Sequence, residues 1–481
     1  MLRKRIHISW HIAWTAGGVV SGVALALLFP AGLFGSVVWL VVACVFCGVV
    51  VVGRIGALCI LALAAGLLLG LWRGSAELAH LQGYNAYYGQ MVTVRGKVTE
   101  DTTFDTKGSQ RLRIGAVYIN GQSLHGHIWS STPSSAAIKR GDIVTLRGSL
   151  SEGFGNLPAT MHRAELVRIE RPHPGDVARR VRDWFAEGVR QAIPEPEASL
   201  GIGFLTGQRS TLPEELDNQL RLLGLTHIVV ASGYNLTILV RLARRMAAGV
   251  SKYLSTLSAS VMIVGFMLVT GLGPSMSRAG LVAGLSLAAW YYGRTIHPLV
   301  LLPFAAAVTV LINPTYVWGD LGWYLSFASF VGVIVLAPLI QQYFWGDTKP
   351  GVFRQILIDT TAAQLVTLPI IAFAFGEYSP LALVANLLIL PLVPLAMLLT
   401  FIGGIAGIAI PQAAPWIGGP ASGVLQYMTA VVERLAALPW AHGELAVGIP
   451  MLVVSYLVLL LGIVFLRRKT AYDFRRHTLV E

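Results

Sequence analysis

Residues 449–466 read Ile449-Pro-Met-Leu-Val-Val-Ser-Tyr-Leu-Val-Leu-Leu-Leu-Gly-Ile-Val-Phe-Leu466 and carry no charge until Arg467, Arg468 and Lys469. At about 1.5 Å rise per residue, such a run matches a hydrocarbon core about 30 Å thick. Stretches 12–29, 33–51, 55–72, 254–272 and 322–341 are as long and also lack charge. Helices buried in a soluble protein would need polar faces somewhere to meet water, and these have none. Composition agrees, with 55% apolar and 12% charged residues, about half the usual charged share. The expected fold class is a polytopic α-helical membrane protein with about 11–13 transmembrane helices.

The chain begins Met1-Leu-Arg-Lys-Arg-Ile-His, which fits the basic start of a signal peptide. Two further spans follow closely and no small-residue cleavage site is evident, so residues 1–75 are read as three retained helices. Arg3, Lys4 and Arg5 put the N-terminus in the cytoplasm, and Arg54, between spans two and three, falls inside too. The net charge of +12 is first a sign of basic cytoplasmic loops. A nucleic-acid partner is its second reading. Cys44, Cys47 and Cys59 lie inside spans and read as packing residues, with no second pair to hold zinc.

From 84 to 171 the character changes. Period-2 alternation appears in Val92-Thr-Val94, Leu112-Arg113-Ile114 and Leu166-Val-Arg168, separated by turn clusters at Lys107-Gly-Ser, Asn120-Gly121 and Gly141-Asp142. Roughly five strands of this length predict a small external all-β OB-like domain, with a small sandwich as the alternative. It holds eleven Lys/Arg against seven Asp/Glu. Arg111, Arg113, Lys139, Arg140 and Arg147 accompany Phe104, Tyr118 and Trp129, the basic-plus-aromatic mixture that binds single strands.

Pro172-His-Pro-Gly175 ends that domain. In 176–193, Val177, Val181, Trp184, Phe185, Val189 and Ile193 share one helical face while Arg179, Arg180, Arg182 and Arg190 fill the rest. An amphipathic helix lying in the membrane surface is predicted, with a helix packed on the β domain as the alternative. Membrane segments then fill 195–411 and 412–466, before a basic tail at 467–481. Arg241, Arg244, Arg245, Arg294, Lys349, Arg354 and the tail's Arg475 and Arg476 all fall inside if 227–247 crosses inward. Both ends inside demands an even number of crossings. Either 381–411 is one element kinked at Pro391 and Pro394, or 422–439, with Glu433 and Arg434, is interfacial.

The stretch Gly224-Leu-Thr-His227-Ile-Val-Val-Ala-Ser232-Gly233-Tyr234-Asn235 places His, Ser and Asn in an otherwise apolar helix. In lipid they must face a partner helix or a water-filled path. This run is similar to the membrane core of the ComEC family of competence DNA-internalisation channels, whose motif reads roughly H-L-L-A-I-S-G-L-H. His227, Ser232 and Gly233 fall on that motif, and Tyr234 and Asn235 depart from it. Gly271-Leu-Gly-Pro274-Ser-Met-Ser-Arg278-Ala279, Gly293-Arg294, Asn313-Pro314 and Gly322-Trp-Tyr324-Leu-Ser326-Phe327 resemble further family elements in the same order, with Tyr324 where Gln is usual. Gln364 to Pro369, Phe375-Gly376, Asn386 and Pro391 resemble the last block. The resemblance implies a channel passing single-stranded DNA through a bacterial cytoplasmic (inner) membrane. It also implies an external DNA receptor and a cytoplasmic translocating ATPase as partners, besides the membrane lipids.

His227, Ser232, Gly233, Asn235, Arg278, Tyr324, Ser326, Gln364 and Asn386 are the candidate path residues. Arg278 at a helix head offers a charge to phosphate without the full cost of burial. Helix breakers at Pro274, Pro369 and Pro391 permit discontinuous helices. Ordinary interhelical hydrogen bonding is the competing explanation. No catalysis and no cofactor are expected. On a regular helix His227 and Ser232 would stand about 140° apart, and His125-Gly-His127 has no Asp-His following it. No Walker-type loop is present, so any energy must come from a partner. Family members often carry a C-terminal metallo-β-lactamase-type domain. Beyond residue 400 only His442, His477 and Asp473 offer such ligands, so none is expected here and strand degradation would fall to a separate nuclease. A transporter of another polymer or solute, or a non-transporting scaffold, is the rival reading.

Overall fold

A glycine every fourth residue organises the first helices of the computed structural model. Its described residues are 7–53, 55–104, 109–134, 136, 138–171, 177–208, 212–229, 232–247, 249–271, 273–294, 296–348 and 350–474. Arg3, Lys4, Arg5, Arg54, Lys107, the 172–175 break, Lys349, Arg475, Arg476 and His477 lie outside them. The described residues divide into two compact units, one within 1–176 and 296–323, the other within 177–295 and 324–481.

In the first unit the helices Ile8–Leu25 and Cys59–Leu81 pack through Gly18 and Gly22 against Gly66 and Gly70. A Cβ at Gly18 would strike the Leu63 and Leu67 backbone, and one at Gly66 would strike Thr15. Lipid supplies no hydrophobic drive between helices, so this close approach and its dispersion contacts hold the pair. Helix Pro298–Ile312 joins them because Arg73 reaches its C-terminal carbonyls. Arg73 Nε donates to Leu311 O at 2.9 Å while its Nη1 pairs with buried Glu77 at 2.8 Å. Trp318 Nε1 also donates to Val23 O at 2.8 Å. The stretch 296–323 is thus carried by the N-terminal helices, inside the range read from sequence as one continuous core.

The same unit contains the barrel. Its strands are β1 (Met91–Val98), β2 (Gln110–Ile119), β3 (Ile128–Thr132), β4 (Ile143–Glu152), β5 (Ala159–Met161) and β6 (Glu165–Glu170). They pair in the order β1-β2-β3-β5-β4, and β4 returns to β1 to close the ring. The β3–β5 contact is parallel, and β6 lies on β4. This is the OB-like five-stranded barrel, not the sandwich. Strict alternation turns Val92, Val94 and Val98 inward with Leu112, Ile114, Leu146 and Met161. Asn120 (φ 50°) and Gly121 (φ 87°) make the tight turn after β2, which requires two residues that tolerate positive φ.

His127, just before β3, packs against Gly115 of β2. Burial, aided by the neighbouring Arg113 charge, lowers its pKa from the ordinary 6.5 to about 4. The folded barrel therefore favours neutral imidazole. Its contribution is complete above the unfolded value and is lost as pH falls from about 6.5 through about 4. Hydrogen-exchange protection of Ile114 and Ile128 in the intact protein should fall roughly tenfold or more across that window. The His127→Gln variant should flatten the dependence, and an unchanged slope in that variant would remove His127 as its cause.

In the second unit the helix Val177–Ala192 is the amphipathic element expected from sequence, and one edge of it packs on a neighbouring helix. Its stripe Ala186, Gly188, Val189 and Ala192 is buried. Gly188 meets Gly404 and Gly407 of the Val393–Ala409 helix so closely that a Cβ would strike backbone, and Phe185 stacks on Phe401 at 5.9 Å. Val177, Val181 and Trp184 stay exposed while Arg182 is buried. The apolar face read as one surface is thus split, because small residues outcompete large ones for a close helix crossing.

Seven helices among the described residues are long and apolar enough to cross a membrane: Ile8–Leu28, Gly56–Tyr87, Lys252–Thr270, Leu321–Trp345, Val352–Phe375, Ala382–Ala409 and Ile449–Thr470. Val37–Gly53 and Pro298–Ile312 are apolar but shorter. The stretch 381–411 forms the single element Ala382–Ala409, with a 3-10 turn at Leu390–Leu392 around Pro391. The stretch 227–247 is not one regular helix. A turn at Thr226–Val229 precedes Gly233–Ala247, and together they bend by 120° from Glu214–Leu222.

Candidate functional site

Ser232 explains why the motif helix starts anew. Its Oγ accepts from Asn235 N at 3.4 Å, the bond of an N-capping serine to the third amide of the helix it begins. The same hydroxyl donates to Asn235 Oδ1 at 3.3 Å, and Asn235 Nδ2 donates to Phe204 O at 3.1 Å. Asn235 is buried and satisfied, so its geometry is that of interhelical packing. His227 Nδ1 bonds Gly224 O at 2.9 Å, across a turn that Gly224 makes at φ 68°. Neither contact joins His227 to Ser232.

Gly233 leads to the centre of the site. A Cβ there would come within 3.1 Å of the Ala279 Cβ and 3.9 Å of Arg278 Nη2. Arg278 sits one turn into the helix Pro274–Tyr291, whose proline occupies a first-turn position that needs no amide donor. Its Nε donates to Ser326 Oγ at 2.7 Å, and Ser326 in turn donates to Ser275 Oγ at 3.2 Å. The guanidinium carbon lies 5.6 Å from the Phe327 ring centroid and 5.1 Å from that of Phe330. Quadrupole attraction to two rings holds the cation in place without neutralising it. Among the described residues no carboxylate lies within 4 Å of Arg278, and its two Nη groups make no hydrogen bond. A half-buried guanidinium thus presents unused N–H donors, the geometry that receives a phosphate or carboxylate oxygen.

Three sequence-distant motifs therefore meet: Gly233, Ser275 with Arg278, and Ser326 with Phe327. Phe330 was not singled out from sequence. Its signal is its spacing of three from Phe327, which puts both rings on one helical face. Tyr324 is half-buried on the same helix. Gln364 is half-buried in Val352–Phe375. Asn386 is 4% exposed, and its Oδ1 has no partner among the described residues.

The barrel candidates separate into two groups. Arg113 is committed to Glu100 at 2.9 Å and faces Asp320 at 3.8 Å. Asp320 also accepts from Asn156 Nδ2 at 2.6 Å and Trp323 N at 2.8 Å. Arg113 therefore ties the barrel to the loop before the Leu321–Val331 helix. Trp129 packs between Phe154 and His162. Lys139 is exposed and Arg140 half-buried, and both are engaged in contacts within the protein. Phe104 lies on a short strand, and its side chain is outside the described residues. Arg111, Arg147 and Tyr118 are exposed, and Tyr118 stands opposite Arg95 across β1–β2.

Membrane-length helices and an OB-like barrel define a multi-pass membrane protein, and among the described residues Arg278 has no carboxylate within 4 Å. The family described as Competence, competence protein, matches residues 204–470, over half the sequence. The chain belongs to this family, that of ComEC. ComE operon protein 3 of Bacillus subtilis (strain 168) is 26% identical over 219 residues, 45% of this chain and 27% of that protein. An uncharacterized protein of Aquifex aeolicus (strain VF5) is 24% identical over 258 residues, 51% of this chain and 58% of its own length. The matched stretches thus span less than two thirds of either relative. No solved structure matches.

Proposed function

We propose that the chain is the conduit that passes single-stranded DNA through a bacterial cytoplasmic membrane during natural transformation. The observation that carries this reading is Arg278, a cation with no carboxylate within 4 Å among the described residues, flanked by two aromatic faces and two hydroxyls inside a helical bundle. A phosphodiester strand supplies the missing anion, and its bases can stack on aromatic faces. The barrel faces outward and both termini lie in the cytoplasm, following the basic loops. The conduit is passive and non-enzymatic. An external receptor delivers DNA, a cytoplasmic ATPase pulls it, and a separate nuclease degrades the other strand.

The barrel contributes the first contacts through Arg111 and Arg147. The intact protein in detergent should bind a fluorescent single-stranded oligonucleotide with an affinity that falls as salt rises, because each phosphate contact releases counterions. Replacing Arg111 and Arg147 together by Ala should lower the log–log salt slope by about 2. An Arg113→Ala protein should keep most of the slope, since that guanidinium is already paired. Salt-independent binding, or an unchanged slope in the double variant, would assign the barrel a purely supporting role.

A further inference from the structure

Between Asp217 and Asp320 the sequence contains no Asp or Glu, yet it holds Arg221, Arg241, Arg244, Arg245, Lys252, Arg278 and Arg294. Four of these cations collect where three helix ends converge. Arg241, Arg244 and Arg245 occupy the last turns of Gly233–Ala247, and Lys252 opens Lys252–Thr270. Trp290 and Tyr291 close Pro274–Tyr291, with Arg294 just beyond. The Arg244 guanidinium lies 4.1 Å from the Trp290 ring centroid, and the Lys252 ammonium lies 5.4 Å from that ring and 5.6 Å from Tyr291. Among the described residues none of Arg241, Arg244, Arg245, Lys252 or Arg294 has a carboxylate within 4 Å.

We infer that this corner is a binding site for the headgroup phosphate of an anionic glycerophospholipid. Arg244 and Lys252 are drawn together over the same ring, and none of the cations has a carboxylate within 4 Å among the described residues, so the site is charge-complementary to a phosphodiester. Beside them Met246, Val250 and Tyr292 are 77%, 74% and 74% exposed, apolar surface that acyl chains cover and water does not favour. Trp and Tyr at helix ends seat at headgroup depth, and basic pockets between membrane helices hold anionic headgroups. A DNA strand would meet the same cations but would leave that apolar rim uncovered. In the orientation proposed above, the leaflet concerned is the inner one. The site is separate from Arg278 and stands whether or not the chain conducts DNA.

The test uses the intact chain in nanodiscs of phosphatidylcholine alone or mixed with phosphatidylglycerol. Lipids retained on release are counted by native mass spectrometry, and melting is followed in parallel. Wild type should retain phosphatidylglycerol preferentially and melt higher in its presence. Substitution of Arg244, Arg245 and Lys252 by Gln should cut that preference roughly tenfold or more. Arg244→Lys with Arg245→Lys should keep most of it, and all variants should melt alike in phosphatidylcholine. Equal retention by wild type and the Gln variant would overturn the inference. So would displacement of the bound phosphatidylglycerol by a single-stranded oligonucleotide, which would give the corner to DNA. If the Gln variant melts lower in phosphatidylcholine, Trp290→Leu serves instead, and full retention there counts equally against the site.

Discussion

Replacing Arg278 by Ala is expected to lower transformation frequency by about a hundredfold or more while the protein stays within about twofold of its normal membrane level. Among the described residues the side chain gives one hydrogen bond, to Ser326, and has no carboxylate within 4 Å. Removing it takes an anion-receptive group from the bundle and leaves only two hydroxyls that still bond each other. A buried ion pair would behave differently, because deleting one partner strands the other charge and destabilises the fold. Arg278→Lys separates charge from shape. A lysine keeps the charge but not the flat array of donors, so it should restore uptake only in part. Loss of the protein in the Ala variant would make Arg278 a packing residue. Normal transformation with normal protein would remove it from the path.

The second large effect belongs to neighbouring glycines. Gly18→Leu should destabilise the first unit by about 3 kcal/mol or more, because the new side chain meets backbone that cannot rotate away. Gly17→Leu should be nearly neutral, since nothing lies within 4 Å of a Cβ there. Purified yield and melting temperature in detergent give the comparison directly. Equal behaviour of the two variants would mean that the close helix crossing does not hold this unit together.

Much of this was legible in the sequence because membrane physics is written in runs. Uncharged stretches of about twenty residues announced helices, alternating strands announced the barrel, and Asn120-Gly121 announced its turn. Arg278 was conspicuous as a charge at a helix head. Its Phe330 neighbour was hidden among the many aromatics of an apolar chain, where no pattern separates a ring beside a cation from a ring beside lipid. The helix start at Ser232 was missed because hydrophobicity runs straight through it, while a capping serine begins a helix whatever the polarity around it. Arg113 read as a free cation because its partners Glu100 and Asp320 are brought to it only by the fold, from a neighbouring loop and from far away in sequence. Arg182 was counted on a polar face, yet the small residues beside it draw that part of the helix inward.

DNA conduction itself is tested most directly by following a labelled strand. The gene for this chain is deleted from a transformable cell that encodes it, and end-labelled DNA is offered before external nuclease is added. Conduction predicts that label protected from nuclease in the cytoplasm disappears on deletion, while surface-bound label persists, and that the wild-type chain restores it and Arg278→Ala does not. Protected single-stranded label reaching the cytoplasm at the wild-type level in the deletion strain would contradict it.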